Sequence, residues 1–211
     1  MTTFVELARV IIGRDDVGLA ADVVDGAIAE PLRGRVPATL LQFLREIGGA
    51  SELLAGFHRF RGAADLELHK DHLLFLDENQ DVIVWAVPLG EDDPFVVQFP
   101  VVDGALDGPF PEGARLSEFL RAMVIMQATH GDLMPHVGYV EREADASLLL
   151  LEAGLSRVAV VGELTAFAGA DTVATTVADD DGETVLVATS SMAAFKNFAD
   201  KLEVEVDIFE L

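Results

Sequence analysis

The side chains in this sequence with chemistry to offer are five histidines, three runs of carboxylates and a pair of adjacent serines. Of His58, His69, His72, His130 and His136, only His69 and His72 lie close together, around Lys70 and Asp71. On a helix, positions three apart could present two imidazoles to zinc. The local pattern is instead a turn entering a strand, where such positions face opposite sides. The pair therefore reads as two polar residues flanking a strand start, and no metal is expected. Carboxylates gather at Asp77-Glu78, at Glu91-Asp92-Asp93 and at Asp179-Asp180-Asp181. A catalytic pair needs two carboxyls converging on one pocket, in environments that split their pKa values. Neighbours in a loop point to water instead. Asp179 to Glu183 is also too short for an EF-hand loop and lacks its bidentate glutamate. Ser190-Ser191 precedes an apolar helical stripe and suits helix capping.

The chain has no cysteine. This removes thiolate metal sites and cysteine nucleophiles. No glycine-rich phosphate loop, no G-x-G-x-x-G and no G-x-S-x-G elbow occurs. Trp85 and the sole tyrosine, Tyr139, do not build an aromatic platform for nucleic acid. The inventory points away from an enzyme, so no catalytic residue and no cofactor is expected. Fourteen Lys+Arg stand against 37 Asp+Glu, a formal net charge of −23. So acidic a surface repels nucleic acid and anionic membrane alike. With 51% hydrophobic residues the chain has the means to build a core. No stretch of the roughly 18 apolar residues that a spanning helix needs is present. The first residues lack the features of a secretory signal. The reading is a cytoplasmic protein of one domain over residues 1–211.

The elements that must position these side chains follow from hydrophobic period. Phe4, Leu7, Ile11 and Ile12 share a helix face, and Val17 to Ala29 reads as a second helix. Pro37 suits the first turn of a third, whose stripe is Leu40, Leu41, Phe43, Leu44 and Ile47 and whose stop is Gly48-Gly49. The period then changes. Leu66 and Leu68 read as a short strand, and His72–Asp77 and Val82–Val87 as the two arms of a hairpin around Glu78, Asn79, Gln80 and Asp81. Phe95–Phe99 reads as a further strand, and Pro100, Pro109 and Pro111 as bounding a loop. Helix returns at Leu116, Phe119, Leu120, Met123 and Val124, with Gln127 the one polar position in the stripe. Glu141 to Ala153 reads as helix. Val158–Val161, Thr172–Ala178 and Thr184–Ala188 read as strands, with Asp179 to Gly182 as a turn between the last two. Met192, Phe195, Phe198 and Leu202 mark a short helix, and Leu202 to Ile208 alternates as a strand. Helices and strands come in blocks. This argues an α+β fold with a mainly antiparallel sheet and flanking helices.

The most specific stretch begins with Pro37-x-x-Leu40-x-x-Phe43-Leu44-x-x-x-Gly48-Gly49 and reaches Phe57-His58-Arg59-Phe60. His72-Leu-Leu-Phe-Leu-Asp-Glu-Asn-Gln80 follows, then Val82-Ile-Val-Trp-Ala-Val87, Asp92-Asp93-Pro94 and Leu116-Ser-Glu-Phe-Leu-Arg-Ala-Met123. In the order of these parts the chain resembles the SUKH superfamily, of the Smi/Knr type, over a core of residues 37–123. The N-terminal helices of residues 1–36 lie before that core, and residues 140–211 resemble the strand and helix additions of bacterial members. Asp81 stands where the family commonly has glycine, and Phe95 where it often doubles the proline.

The resemblance implies a binding role. Bacterial members are associated with toxin systems as immunity proteins that bind and block a cognate toxin, often a nuclease or deaminase. The alternative is a regulatory or scaffold protein of the same family with no toxin partner. A small-ligand or metal-dependent enzyme ranks third. An acidic binder of a basic, nuclease-like toxin agrees with the charge. The partner-binding residues expected are Glu78, Asn79, Gln80 and Asp81 together with Glu91, Asp92 and Asp93. Glu203, Glu205 and Asp207 form an alternative acidic face. Trp85 is expected to be largely buried.

Overall fold

The first helix is set by its own ends. The Thr3 hydroxyl accepts from the Glu6 N–H, and the Glu6 carboxylate accepts from the Thr3 N–H, a reciprocal capping box. Helix α1 (Phe4–Ile12) then buries Phe4, Leu7, Ala8 and Ile11, the stripe that a 3.6-residue period demands. A computed structural model describes residues 2–142, 146–179, 182–202 and 207–209.

The expected helix over Val17 to Ala29 is shorter. Helix α2 spans Ala21–Ala27 only, and Val17 to Ala20 are not helical. The cause is tertiary. The Leu19 N–H donates to Arg45 O, and the Gly49 N–H donates to Val17 O. This pairing against the end of α3 (Ala38–Ile47) needs close approach, since a Cβ on Gly18 would lie 2.8 Å from Arg45 O. Pro37 is the N-cap of α3 and stands one position outside its first turn. Helix α4 (Ser51–Leu54) closes this block.

The first sheet holds β1 (Arg59–Phe60), β2 (Glu67–His69), β3 (His72–Asp77), β4 (Ile83–Pro88), β5 (Phe95–Val102), β6 (Ala105–Leu106) and β7 (Phe110–Arg115), every pairing antiparallel. Its spine is β3-β4-β5; β1 and β2 share one edge, and β6 and β7 the other. The β3–β4 hairpin has the expected antiparallel register, with His72 opposite Pro88 and Asp77 opposite Val84. The expected loop around Pro100, Pro109 and Pro111 is corrected: Pro100 lies within β5 and Pro111 within β7. The chain doubles back through Asp103 and Gly104, both at positive φ (52° and 78°). An Asp-Gly pair between apolar dipeptides is a hairpin signal that the prolines obscure.

Helix α5 (Leu116–His130) follows, buried on nearly every side, as a core helix must be. Then come β8 (His136–Arg142), α6 (Ala146–Glu152), β9 (Ser156–Val161), β10 (Leu164–Ala168), β11 (Thr172–Asp179), β12 (Gly182–Thr189), α7 (Met192–Leu202) and β13 (Asp207–Phe209). These strands form a second antiparallel sheet in the order β13-β8-β12-β11-β10-β9. The helix expected over Glu141 to Ala153 is corrected at its start: Glu141 and Arg142 lie in β8 and pair with β12, and helix α6 spans Ala146–Glu152. Strand β10 was not expected; it turns back from β9 through Gly162 at φ 56°. Asp179 pairs with Gly182 as expected of a tight turn, while Asp180 and Asp181 lie outside the described residues. Leu202 belongs to α7, not to a strand, and Glu203 and Glu205 of the alternative acidic face also lie outside them.

The fold is α+β and mainly antiparallel, with two sheets rather than one and α5 between them. Phe119 of α5 meets Phe75 and Trp85 of the first sheet, at ring separations of 5.9 and 5.7 Å. Thr129 on the same helix meets Thr175 of the second sheet, hydroxyl to hydroxyl at 3.3 Å. One apolar cluster thus runs from α1 through α5 to both sheets. A second, around Phe167, Phe195 and Phe198, lies under α6 and α7. A third, around Leu74, Val84, Ala86 and Phe99, is built from strands alone on the other face of the first sheet. Lys70, in the β2–β3 turn, donates to Gly108 O just before β7, so the two edges of the sheet curl together over Phe99. Register shifts between Leu74 and Leu76 and between Phe95 and Val97 accompany that curvature.

Candidate functional site

The loop from Glu78 to Asp81 is held from within and from below. The Glu78 N–H donates to Ile83 O and the Asp81 N–H to Glu78 O, each at 3.0 Å. The Glu78 carboxylate folds back to accept from the Gln80 N–H at 2.7 Å. Asp81 takes φ 57°, which a short polar side chain tolerates where glycine would otherwise stand. From below, His58 Nδ1 accepts from the Asn79 N–H at 3.2 Å. That bond requires a neutral imidazole with its proton on Nε2. Burial enforces it: the His58 pKa is pushed down to about 4, with Glu78 pulling the other way. The loop therefore exposes Asn79, Gln80 and Asp81, while Glu78 is half-buried and occupied with its own backbone.

Beneath His58 lies a residue whose role the sequence pattern did not assign. Gln127, fully buried in α5, accepts on Oε1 from the Phe57 and His58 N–H groups, both at 2.7 Å. Its Nε2 donates to Leu53 O and His58 O at 3.0 and 2.7 Å. The amide thus uses both ends to station the segment that carries His58. Its signal in the sequence was the lone polar position in an apolar helical stripe.

Asp77 precedes the loop and is nearly closed to solvent. Arg59 Nη2 donates to its Oδ2 at 2.9 Å, and Arg61 Nη2 to its Oδ1 at 2.8 Å. Arg61 Nη1 also reaches Glu67 at 2.8 Å. Arg59, Arg61 and Asp77 line an open cleft of about 400 Å³ with Phe60 and Asp65. A buried carboxylate requires such compensation, and both guanidinium groups are spent on it, so the cleft is a structural ion-pair network.

Glu91, Asp92 and Asp93 do a different task. The Thr39 N–H, in the first turn of α3, donates to Asp92 O at 3.0 Å. The Ser117 N–H and hydroxyl, in the first turn of α5, donate to the Asp93 carboxylate, both at 2.8 Å. Helix starts carry unpaired N–H groups and partial positive charge, and Asp93 answers both. Glu91 and Asp92 stay exposed; Asp93 is committed to α5. The two expected groups thus lie at opposite ends of β4, about 20 Å apart by the rise of a strand.

His69 and His72 correct a geometric expectation. They are cross-strand neighbours across the Lys70-Asp71 turn and share a face. Both rings stand edge-on to Phe99, at 5.1 and 5.5 Å. His69 Nε2 and His72 Nδ1 are buried without a hydrogen-bond partner, and burial lowers the His72 pKa. Among the described residues, no three His, Asp or Glu side chains gather to hold a metal, and no helix is long and apolar enough to cross a membrane. Trp85 is 8% exposed and donates from Nε1 to the Glu112 carboxylate on β7. No known family, curated protein or solved structure matches the chain.

Proposed function

We propose that this chain is a non-enzymatic, protein-binding member of the SUKH type, and that it acts as an immunity protein against a basic, nuclease-like toxin. The observation that carries the reading is the Glu78–Asp81 loop. It lies in the stretch that bears the motif resemblance, and its backbone is fixed by Glu78, His58 and Gln127 before any partner arrives. A loop ordered in advance costs a partner less entropy on binding. Its outward groups, Asn79, Gln80 and Asp81, are polar or acidic, and the net charge of −23 favours fast encounter with a basic surface.

The test is co-expression with the product of the adjacent gene, which this reading requires to be a basic toxin domain. Protection of the host, and a stoichiometric complex whose association slows as salt rises, are the expected results. Growth arrest despite full expression, with no complex by gel filtration, overturns the immunity reading. Stable capture of one host protein in that case supports the regulatory alternative.

A further inference from the structure

His69 and His72 close the β2–β3 hairpin from opposite strands, directly across from each other. Both rings stand against one ring, Phe99, at centroid separations of 5.1 and 5.5 Å. His69 Nε2 and His72 Nδ1 are buried there without a hydrogen-bond partner. A buried polar atom left unpaired costs about 1–3 kcal/mol, and two of them on neighbouring rings ask for a common explanation. An N–H pointed at Phe99 would be a weak substitute, because such contacts are second-order. The floor of the spot is apolar, since Phe99 joins Leu74, Val84 and Ala86 in the cluster built from strands alone. Lys70 is the cation nearest in sequence to both rings. Its ammonium donates to Gly108 O at 3.2 Å and stands 5.8 Å from the Phe99 centroid. Asp71, beside it in the turn, is exposed.

We propose that His69 Nε2 and His72 Nδ1 together bind one divalent transition-metal ion of the zinc type. Imidazole nitrogen suits zinc, copper and nickel, whereas magnesium and calcium take oxygen. The hairpin register supplies the geometry. Directly opposed cross-strand residues have Cβ atoms about 4.5–5.5 Å apart. Zinc at about 2.0–2.1 Å from each ligand holds two nitrogens roughly 3.4 Å apart, which rings on such positions reach by side-chain rotation. Two imidazoles leave the remaining positions of the ion to water, so the site is open and weaker than a closed four-ligand one. Its effect is that of a clip. It ties β2 to β3 at the turn from which Lys70 draws the two sheet edges together. The net charge of −23 attracts cations to the whole surface; the paired nitrogens choose this place and this class of metal. The Lys70 charge opposes the ion, so its removal tightens binding. The site is independent of the immunity reading.

The experiment strips the full chain with a chelator, desalts it and titrates Zn²⁺ by calorimetry, with excess Mg²⁺ present to occupy the carboxylates. Imidazole nitrogen NMR spectra are recorded on the same samples. The expected result is one Zn²⁺ per chain that Mg²⁺ does not displace. The spectra should place it on Nε2 of His69 and Nδ1 of His72, with His58, His130 and His136 unmoved. His69→Gln and His72→Gln should each weaken Zn²⁺ by more than about tenfold, since losing a residue that merely orients a metal ligand already costs that much. Lys70→Asn removes the opposing charge with a residue type that tolerates the φ of 54° at this position, and should tighten Zn²⁺ severalfold. His136→Gln, on the second sheet, should leave the affinity within about twofold, as a remote site does. Displacement of all bound Zn²⁺ by Mg²⁺ marks a diffuse carboxylate surface and overturns the proposal. So do unchanged affinity in both His69→Gln and His72→Gln, zinc located on other histidines, or protons that stay on His69 Nε2 and His72 Nδ1 when Zn²⁺ is saturating. If a histidine variant fails to fold, the spectra of the parent chain decide, because they name the ligating atoms without any substitution.

Discussion

The loops at the two ends of β4 are both acidic, yet their carboxylates have unlike fates. In the Glu78–Asp81 loop the carboxylate that turns inward, Glu78, satisfies N–H groups of its own loop. In the Glu91–Asp93 loop the inward carboxylate, Asp93, satisfies the start of α5, far away in sequence. The first arrangement shapes a surface; the second joins a sheet to a helix. A run of acids does not reveal which of its members is surface charge and which is a cap. The answer depends on where unpaired N–H groups lie in space.

The sharpest way to break the first region is at its root. Arg61→Ala strips a buried donor from Asp77, whose side chain is only 6% exposed. Removing one partner of a buried pair costs about 3–5 kcal/mol. Urea denaturation should show that loss, and Asp77→Asn in the same background should recover part of it by removing the stranded charge. A loss under about 1 kcal/mol would mean that Arg59 alone compensates Asp77.

In the second region the expected effect is smaller. Asp93→Ala should cost about 1–2 kcal/mol, the value of a helix cap, and Asp93→Asn or Asp93→Ser should restore most of it. Asp81→Asn, in the first region, should stay within about 0.5 kcal/mol, because its side chain is exposed and Asn accepts left-handed geometry equally well. Equal losses at Asp93 and Asp81 would erase the contrast between the loops.

A third effect appears only in acid. His58 has its pKa lowered to about 4 by burial, and burial also lowers those of His130 and His72. The unfolded chain therefore binds more protons below the ordinary histidine value of 6.5. Stability is full above that pH and drains as pH falls from 6.5 towards 4. Protonating His58 also removes the acceptor for the Asn79 N–H, so the Glu78–Asp81 loop should loosen first. His58→Gln keeps an acceptor and cannot titrate. It should shrink the loss over that window in pH-dependent denaturation, with amide exchange at Asn79 slowed relative to the parent at pH 5. No change in the acid limb would place the titration at His130 and His72 instead.

What was legible in the sequence divides along the same physical line. The β3–β4 hairpin, the stripes of α1, α3 and α5 and the burial of Trp85 depend on period and local turn chemistry, and those appear in the letters. Features set by distant partners did not. Val17 to Ala20 has a helical pattern but is held out of the helix by hydrogen bonds to the end of α3. His69 and His72 look like opposite-face residues until the tight turn between them makes them neighbours. Strand β10, with Thr165 and Ala166 in its middle, lacks the bulky β-branched run of its neighbours. At the site, the polar position of Gln127 was visible, but its four hydrogen bonds join segments that only the fold brings together.

The smallest change in stability decides most about function. Glu91→Lys with Asp92→Lys alters exposed side chains and spares Asp93, so folding should shift by no more than about 0.5 kcal/mol. Long-range attraction acts on the encounter of two proteins and little on their separation. With the proposed basic partner and Trp85 as the optical signal, stopped-flow mixing at low salt should therefore show association slowed severalfold, a flatter dependence on salt and a nearly constant dissociation rate. A reversal in the other loop, Asp81→Lys, should slow association less, because it alters one exposed carboxylate where the Glu91 and Asp92 pair alters two. If Asp81→Lys slows association more than the Glu91 and Asp92 pair, the approach is governed by the loop that His58 supports, and the assignment of tasks to the two ends of β4 must be exchanged.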